Sequence, residues 1–168
     1  MIRTARLLLR PAREGDFAAL HAMFSDPKTM RYWDRPPHDE ATTRAFLQGL
    51  LAGDGPESIE RIVEHDGRVI GRVGMWRMGE IGYIFDRSVW GQGFATEALG
   101  ALIAEIWRRW PDLARLAAEI DPRNLASARV LEKLGFRLER EEARTLLLDG
   151  EWCDSAFYAL GRSDPQGG

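Results

Sequence analysis

The chain has one cysteine, Cys153, among its 168 residues. A lone thiol forms no intrachain disulfide and cannot build a multi-thiolate metal centre, so a reducing compartment is the expected home. Histidine is nearly as scarce: His21, His38 and His65 fall in unrelated segments without metal-ligand spacing, and no metal is expected. His21 reads as helix-borne packing and His65 as polar turn surface, whereas His38, in an aromatic loop, is kept as a site candidate. Long hydrophobic runs are missing too. The longest apolar-rich stretch, Ala98 to Trp107, is interrupted by Glu105, and it falls short of the roughly 20 residues that cross a bilayer. Leu7, Leu8 and Leu9 between Arg6 and Arg10 are too few for the roughly 7 to 15 apolar residues of a secretory signal. A cytoplasmic protein without membrane attachment is expected. There is no basic surplus either: 23 basic side chains face 26 acidic ones for a net charge of -3, which argues against a general nucleic-acid binder.

With 45% apolar residues and no fixed-period repeat, the chain has the means to bury one core. One domain over residues 1–162 with a flexible tail over 163–168 is expected. A strand around Arg6 to Arg10 precedes Phe17, Leu20, Met23 and Phe24 at helical spacing, with Asp16 as N-cap and Pro27 as a stop. After an aromatic, proline-bearing loop at Tyr32 to Pro37, a second helix carries Phe46, Leu47, Leu50 and Leu51. Three β-rich stretches follow, Ile59 to Glu64, Arg68 to Trp76 and Ile81 to Phe85, with turn signals at Asp66-Gly67 and Met78-Gly79 that predict an antiparallel meander. Leu99, Leu102, Ile103, Ile106 and Trp110 then mark a long helix ended by Pro111. Leu116, Ala118 and Ile120 alternate as in a strand, and Asn124 or Ser127 caps a helix bearing Val130, Leu131 and Leu134 before Gly135. A hairpin from Thr145 to Leu160 turns at Asp149-Gly150. The class is α+β with a mixed sheet.

The most informative run is Tyr83 to Glu97, which passes from strand through a glycine-bearing turn into the long helix. The first amides of a helix have no intrahelical partner and sit at the positive end of its dipole, so phosphate oxygens are well received there. Gly91 and Gly93 let the backbone bend and approach such a group closely, and Thr96 adds a hydroxyl. Neither a Walker-type lysine nor the third glycine of a dinucleotide fingerprint is present, and the two glycines alone are equally consistent with a plain tight turn.

Trp90 to Ala98 resembles the acetyl-CoA pyrophosphate loop of the GNAT N-acetyltransferases, Gln/Arg-x-x-Gly-x-Gly/Ala, with Gly93 and Ala95 matching and Trp90 departing at the first position. Asn124 to Phe136 is similar to the Asn-x-x-Ser-x-x-Val-Leu-x-Lys-x-Gly-Phe block of the RimJ/RimL-like branch, as are Arg6 to Pro11 and Asp149 to Trp152. The resemblance implies a mixed, mostly antiparallel central sheet flanked by helices, with a splay between the two middle strands. It also implies transfer of an acetyl group from acetyl-CoA, as co-substrate, to a primary amine in a ternary complex.

Under that resemblance Ile84, Phe85 and Asp86 meet the pantetheine arm, and Gly91, Gln92, Gly93, Phe94, Ala95 and Thr96 hold the pyrophosphate. Arg87 and Arg129 are candidates for the CoA phosphates, or else solvated surface charges. The place of the tyrosine acid of many relatives is Leu131, which donates no proton, so that task passes to Ser127, with Asn124 positioning the arm or a water. Ser127 as a plain first-turn residue stands beside that reading. Glu80 is the candidate base, or an exposed turn residue. Tyr32 and Trp33 are candidates for holding a small-molecule or peptide amine, or pack under their loop. A homodimer is allowed for. A CoA sensor or scaffold that has lost turnover is the competing function, motivated by Trp90 and Leu131.

Overall fold

The computed structural model describes residues 1–163. Beyond Ser163, the expected tail lies outside the described residues. The elements in chain order are β1 (Ile2–Arg3), β2 (Leu8–Arg10), a 3-10 turn (Glu14–Asp16), α1 (Phe17–Phe24), α2 (Glu40–Leu51), β3 (Ile59–His65), β4 (Arg68–Arg77) and β5 (Glu80–Phe85). A second 3-10 turn (Arg87–Val89) leads to α3 (Phe94–Arg109), β6 (Arg115–Ile120), α4 (Leu125–Lys133), β7 (Arg137–Leu148) and β8 (Glu151–Gly161). The strands form one sheet in the order β1-β2-β3-β4-β5-β6-β8-β7. Every pairing is antiparallel except that of β5 with β6. The mixed sheet and the central meander expected from the pattern are therefore present.

Two apolar clusters lie on opposite faces of the sheet. On one, Ala98, Leu99, Leu102, Ile103 and Ile106 of α3 and Leu131 of α4 pack on Val73, Ile81 and Phe85. On the other, Leu20, Met23 and Phe24 of α1 and Leu47 and Leu50 of α2 cover Ile62 and Ile84. Ile81, Phe85 and Ile84 divide between the faces because successive strand side chains point to opposite sides. Leu131 is fully buried, which accounts for an apolar residue at that position.

Asp16 does not cap α1 with its side chain. Its carboxylate instead accepts from the Arg13 amide at 2.7 Å and from the buried Arg10 guanidinium at 2.8 and 2.9 Å. Arg10 also reaches Glu64 at 2.7 Å, so the carboxylate expected at a helix start is drawn into a buried charge cluster that ties β2 to β3. Two elements escaped the sequence pattern, β1 and the first half of β7. Arg137 to Glu142 is exposed and charged on both faces of an edge strand, so no alternation marks it.

Asp54 joins three elements. Its carboxylate accepts from Arg61 of β3 at 2.6 and 2.8 Å and from Arg109 of α3 at 2.7 Å, while the residue itself lies in the turn after α2. Burial alone would push this carboxyl up, but the two arginines outweigh it and hold it at about 2. A carboxyl depressed on folding stabilises the protein above its unfolded pKa, and that gain is lost as pH falls through the folded value. Asp54→Asn is expected to lower stability at neutral pH by about 2 kcal/mol and to flatten the loss of stability between about pH 4 and pH 2. Denaturant unfolding of both proteins across that range checks this, and an unchanged acid slope in the variant refutes it.

Candidate active site

β5 and β6 are hydrogen-bonded neighbours at one register pair only, Glu80 with Ala117. Beyond it β5 continues on β4 to Phe85 opposite Gly71, and β6 continues on β8 to Ile120 opposite Ala156. The two middle strands therefore part, and a wedge opens between them. The Asp86 amide donates to Ile70 on β4, and the Gly79 carbonyl accepts from Ala117 on β6. By strand alternation the backbone of Ile84 is turned to β4, while Tyr83 and Phe85 present theirs to the wedge. Of the three residues expected to meet a pantetheine arm through their backbone, Ile84 and Asp86 thus have their amides committed to β4. The Phe85 carbonyl is covered by the Trp90 indole N–H, which donates to it at 2.9 Å. The Asp86 carboxylate accepts from the Ser88 amide at 2.7 Å and so holds the turn that follows.

At the open end of the wedge stands the glycine turn. Gly91 and Gly93 have φ of 74° and 79°, a region in which other residues are strained. The first bond of α3 runs from the Glu97 amide to the Gly93 carbonyl, so the amides of Phe94, Ala95 and Thr96 have no intrahelical partner. The Phe94 ring is buried in the core and anchors that first turn. Gln92 is exposed, and its side-chain amide donates to the Ser88 carbonyl at 3.2 Å. Arg6, from the segment between β1 and β2, braces the turn. It donates to the Gln92 carbonyl at 3.0 Å and to the Glu97 carboxylate at 2.6 Å, and lies 4.3 Å over the Phe94 ring. Nothing local in the sequence signals this brace. Arg87 lies 3.6 Å from Asp26, and Arg129 is exposed on α4.

At the closed end of the wedge lies a cavity of about 570 Å³. It brings together Tyr32, Trp33, Glu80, Asn124 and Ser127, all singled out from sequence, and it includes His38. The cap question is decided: Asn124 is the N-cap and accepts from the Ser127 amide at 3.1 Å. Ser127, freed of that duty, lines the cavity. Its carbonyl accepts from the Tyr83 hydroxyl at 3.2 Å, and burial pushes that phenol up to about 12, so it stays protonated at neutral pH. Both oxygens of Glu80 are engaged by the Arg77 guanidinium.

Sequence reasoning missed several cavity residues, among them Tyr83 and Glu119. The parallel register that sets Glu80 beside Ala117 sets Gly82 beside Glu119, just past the point where the strands part. Glu119 accepts from the Ser155 hydroxyl at 2.6 Å, and Ser155 is within 2.6 Å of the Thr145 hydroxyl. Its signal in the sequence was the alternation itself: with Leu116, Ala118 and Ile120 on the helix-covered face, Glu119 falls on the other.

The histidines separate as their segments implied. His21 stacks on Phe17 and is 3.0 Å from the Thr43 hydroxyl, and His65 is 3.0 Å from the Arg6 carbonyl. His38 is 6% exposed and stacks on Phe24 at 4.7 Å, with neither ring nitrogen hydrogen-bonded. Burial and the nearby Arg35 lower its pKa, keeping the ring neutral. Among the described residues no group of three His, Cys, Asp or Glu is placed to hold a metal ion, and no helix is long and apolar enough to cross a membrane.

The family model for the acetyltransferase (GNAT) domain matches residues 6–137. A Bacillus subtilis (strain 168) protein named as the uncharacterized N-acetyltransferase YnaD is 29% identical over 164 residues, 95% of each chain. A GNAT-family acetyltransferase structure from Bacillus anthracis superposes with a TM-score of 0.85 at 28% identity, covering 95% of this chain and 97% of that one. The structure of RimL, a ribosomal L7/L12 alpha-N-protein acetyltransferase in complex with coenzyme A, superposes with a TM-score of 0.82 at 25% identity, covering 94% and 95%. A sheet parted at its one parallel junction, a helix N-terminus behind two left-handed glycines and the sequence match agree: the chain belongs to the GNAT family of N-acetyltransferases.

Proposed function

We propose that this protein moves the acetyl group of acetyl-CoA directly onto a primary amine while both are bound. The observation that carries the reading is the wedge between β5 and β6, with helix-end amides at one end and a polar cavity at the other. The amides of Gly91 to Thr96 suit a pyrophosphate, and the exposed guanidinium groups of Arg87 and Arg129 suit the outlying phosphates. The wedge-facing backbone of Tyr83 and the Phe85 amide supply hydrogen-bonding edge for the pantetheine arm, and one such amide polarises the thioester carbonyl.

The chemistry requires an amine nitrogen to bond to the thioester carbon, the carbon–sulfur bond to break and the amine to surrender a proton. Glu80 was the first choice for that proton, but its two oxygens are held by Arg77. Glu119 is the better acceptor, because it lines the cavity beside Gly82 and is oriented by a hydroxyl rather than an arginine. Ser127 hydrogen-bonds the departing sulfur. An alcohol is a weak acid, so its contribution is chiefly that bond, with water completing protonation. The acceptor is a peptide N-terminus, an amino acid or another small amine. A pure sensor is the reading that remains if acetyl-CoA binds and no amine reacts.

Release of CoA with a panel of amino acids, peptides and polyamines tests the reading, and silence across that panel despite binding of acetyl-CoA overturns it. Glu119→Gln is expected to lower kcat/KM by about 10²- to 10⁴-fold and Ser127→Ala by about 10-fold, with Glu80→Gln milder than Glu119→Gln. The opposite ranking of the two carboxylates returns the proton to Glu80. Gly93→Ala, at a φ of 79°, is expected to cost about 1–3 kcal/mol of backbone strain and to weaken CoA binding. Calorimetry with CoA reads the effect, and unaltered affinity with unaltered thermal stability contradicts it.

A further inference from the structure

The acceptor half of the cavity holds a charge pattern that the transfer chemistry leaves unexplained. Arg72 of β4 is 5% exposed and lines the cavity. One terminal nitrogen is ion-paired to Glu60, while its Nε has no partner. Its other terminal nitrogen lies 3.6 Å from where a Cβ on Gly82 would stand. The guanidinium therefore reaches across β5 over the residue that the register sets beside Glu119. The absence of a side chain at Gly82 keeps the space between them open. Around the same cavity Arg35 is paired with Asp34, Arg77 with Glu80, and Asp121 with Arg123. Among the described residues Arg31 has no carboxylate within ion-pairing distance, though its charge acts on Asp121, and Asp154 accepts only from a backbone amide, that of Arg144 at 2.9 Å. Unanswered charge of both signs remains, so a polycationic amine is matched on one side and repelled on the other.

An aromatic chamber adjoins Arg72. The guanidinium carbon is 5.7 Å from the Phe46 ring centre, and Phe46 is 4.8 Å from Phe24 and 6.0 Å from His38. Trp33 meets the Phe24 ring edge-on at 5.5 Å. The ring of His38, stacked on Phe24, completes the aromatic wall of the chamber.

We propose that the acceptor is a free α-amino acid with a bulky apolar or aromatic side chain, its carboxylate on Arg72, its amine beside Glu119 and its side chain across Phe46 toward His38. The proposal rests on the acetyl-transfer reading above. An α-amino acid carries amine and carboxylate one carbon apart, and Arg72 and Glu119 line the same cavity with Gly82 between them in register. A peptide N-terminus offers a neutral carbonyl there, and spermine offers nothing anionic.

The test measures kcat/KM with acetyl-CoA for L-phenylalanine, L-phenylalaninamide, an alanine-initiated hexapeptide and spermine, with calorimetry of L-phenylalanine into the CoA complex as a second readout. L-Phenylalanine is expected to exceed its amide by about 10- to 100-fold, since a charge-assisted pair is lost in the amide. Arg72→Gln leaves Glu60 without its partner, so the Arg72→Gln, Glu60→Gln double variant is made as well and its thermal unfolding recorded. In the folded variant the acid-over-amide preference is expected to collapse to within about twofold and the calorimetric signal to vanish. Equal use of acid and amide by the wild type, or a preference that survives loss of Arg72, overturns the proposal. Acetylation of the peptide or spermine but not of L-phenylalanine overturns it while leaving acetyl transfer standing, and turnover of none of the four defeats both.

Discussion

Everything in this molecule depends on two parallel strands that touch once and then separate. Glu80 and Ala117 form the only ladder contact between β5 and β6, and each strand stays straight beyond it because an antiparallel neighbour holds its other edge. A sheet that loses pairing in its middle exposes amides and carbonyls, which is unfavourable in a core unless something fills the gap. Here part of the filling is supplied by the chain, through the Trp90 indole on the Phe85 carbonyl. The rest is left as unpaired edge. The two helical layers make the parting tolerable, since α3 and α4 on one face and α1 and α2 on the other bury the strands on both sides of it.

That geometry also sets how the polar residues are shared out. At the open end the helix start presents backbone amides, with the Phe94 side chain sunk in the core and a positive φ on either side of Gln92. At the closed end side chains do the work, and nearly all come from different elements: Tyr83 from β5, Glu119 from β6, Ser127 from α4 and Thr145 from β7. A cavity assembled from that many strands is held by register, so a slip of one residue in β6 would carry Glu119 to the opposite face.

The same contrast explains what could be read in advance. The long helix and the glycine turn are local, written in spacing that one segment carries by itself, and both appear where the pattern placed them, while the cap left between Asn124 and Ser127 falls to Asn124. Glu119 and Tyr83 needed a strand-to-strand register to be recognised, and no single segment contains it. Asp16 shows the converse: its local signal was an ordinary cap, but the buried Arg10, six residues earlier at the end of β2, offered a stronger bond. Glu80 was well placed by position and disqualified by a neighbour, Arg77, that lies across its own turn. His38 sat in a loop that sequence could only label aromatic, and the stacking on Phe24 that gives it a defined place comes from α1.

The Glu97 carboxylate is held from three sides, by the Thr4 hydroxyl at 2.6 Å, the Arg6 amide at 2.9 Å and the Arg6 guanidinium at 2.6 Å, one turn inside the helix whose first amides face the wedge. Fraying of residues 4 to 6 consequently strips three bonds from the first turn of α3. A protease that nicks this outlying segment would loosen a helix start some ninety residues further along the chain, without ever reaching the core.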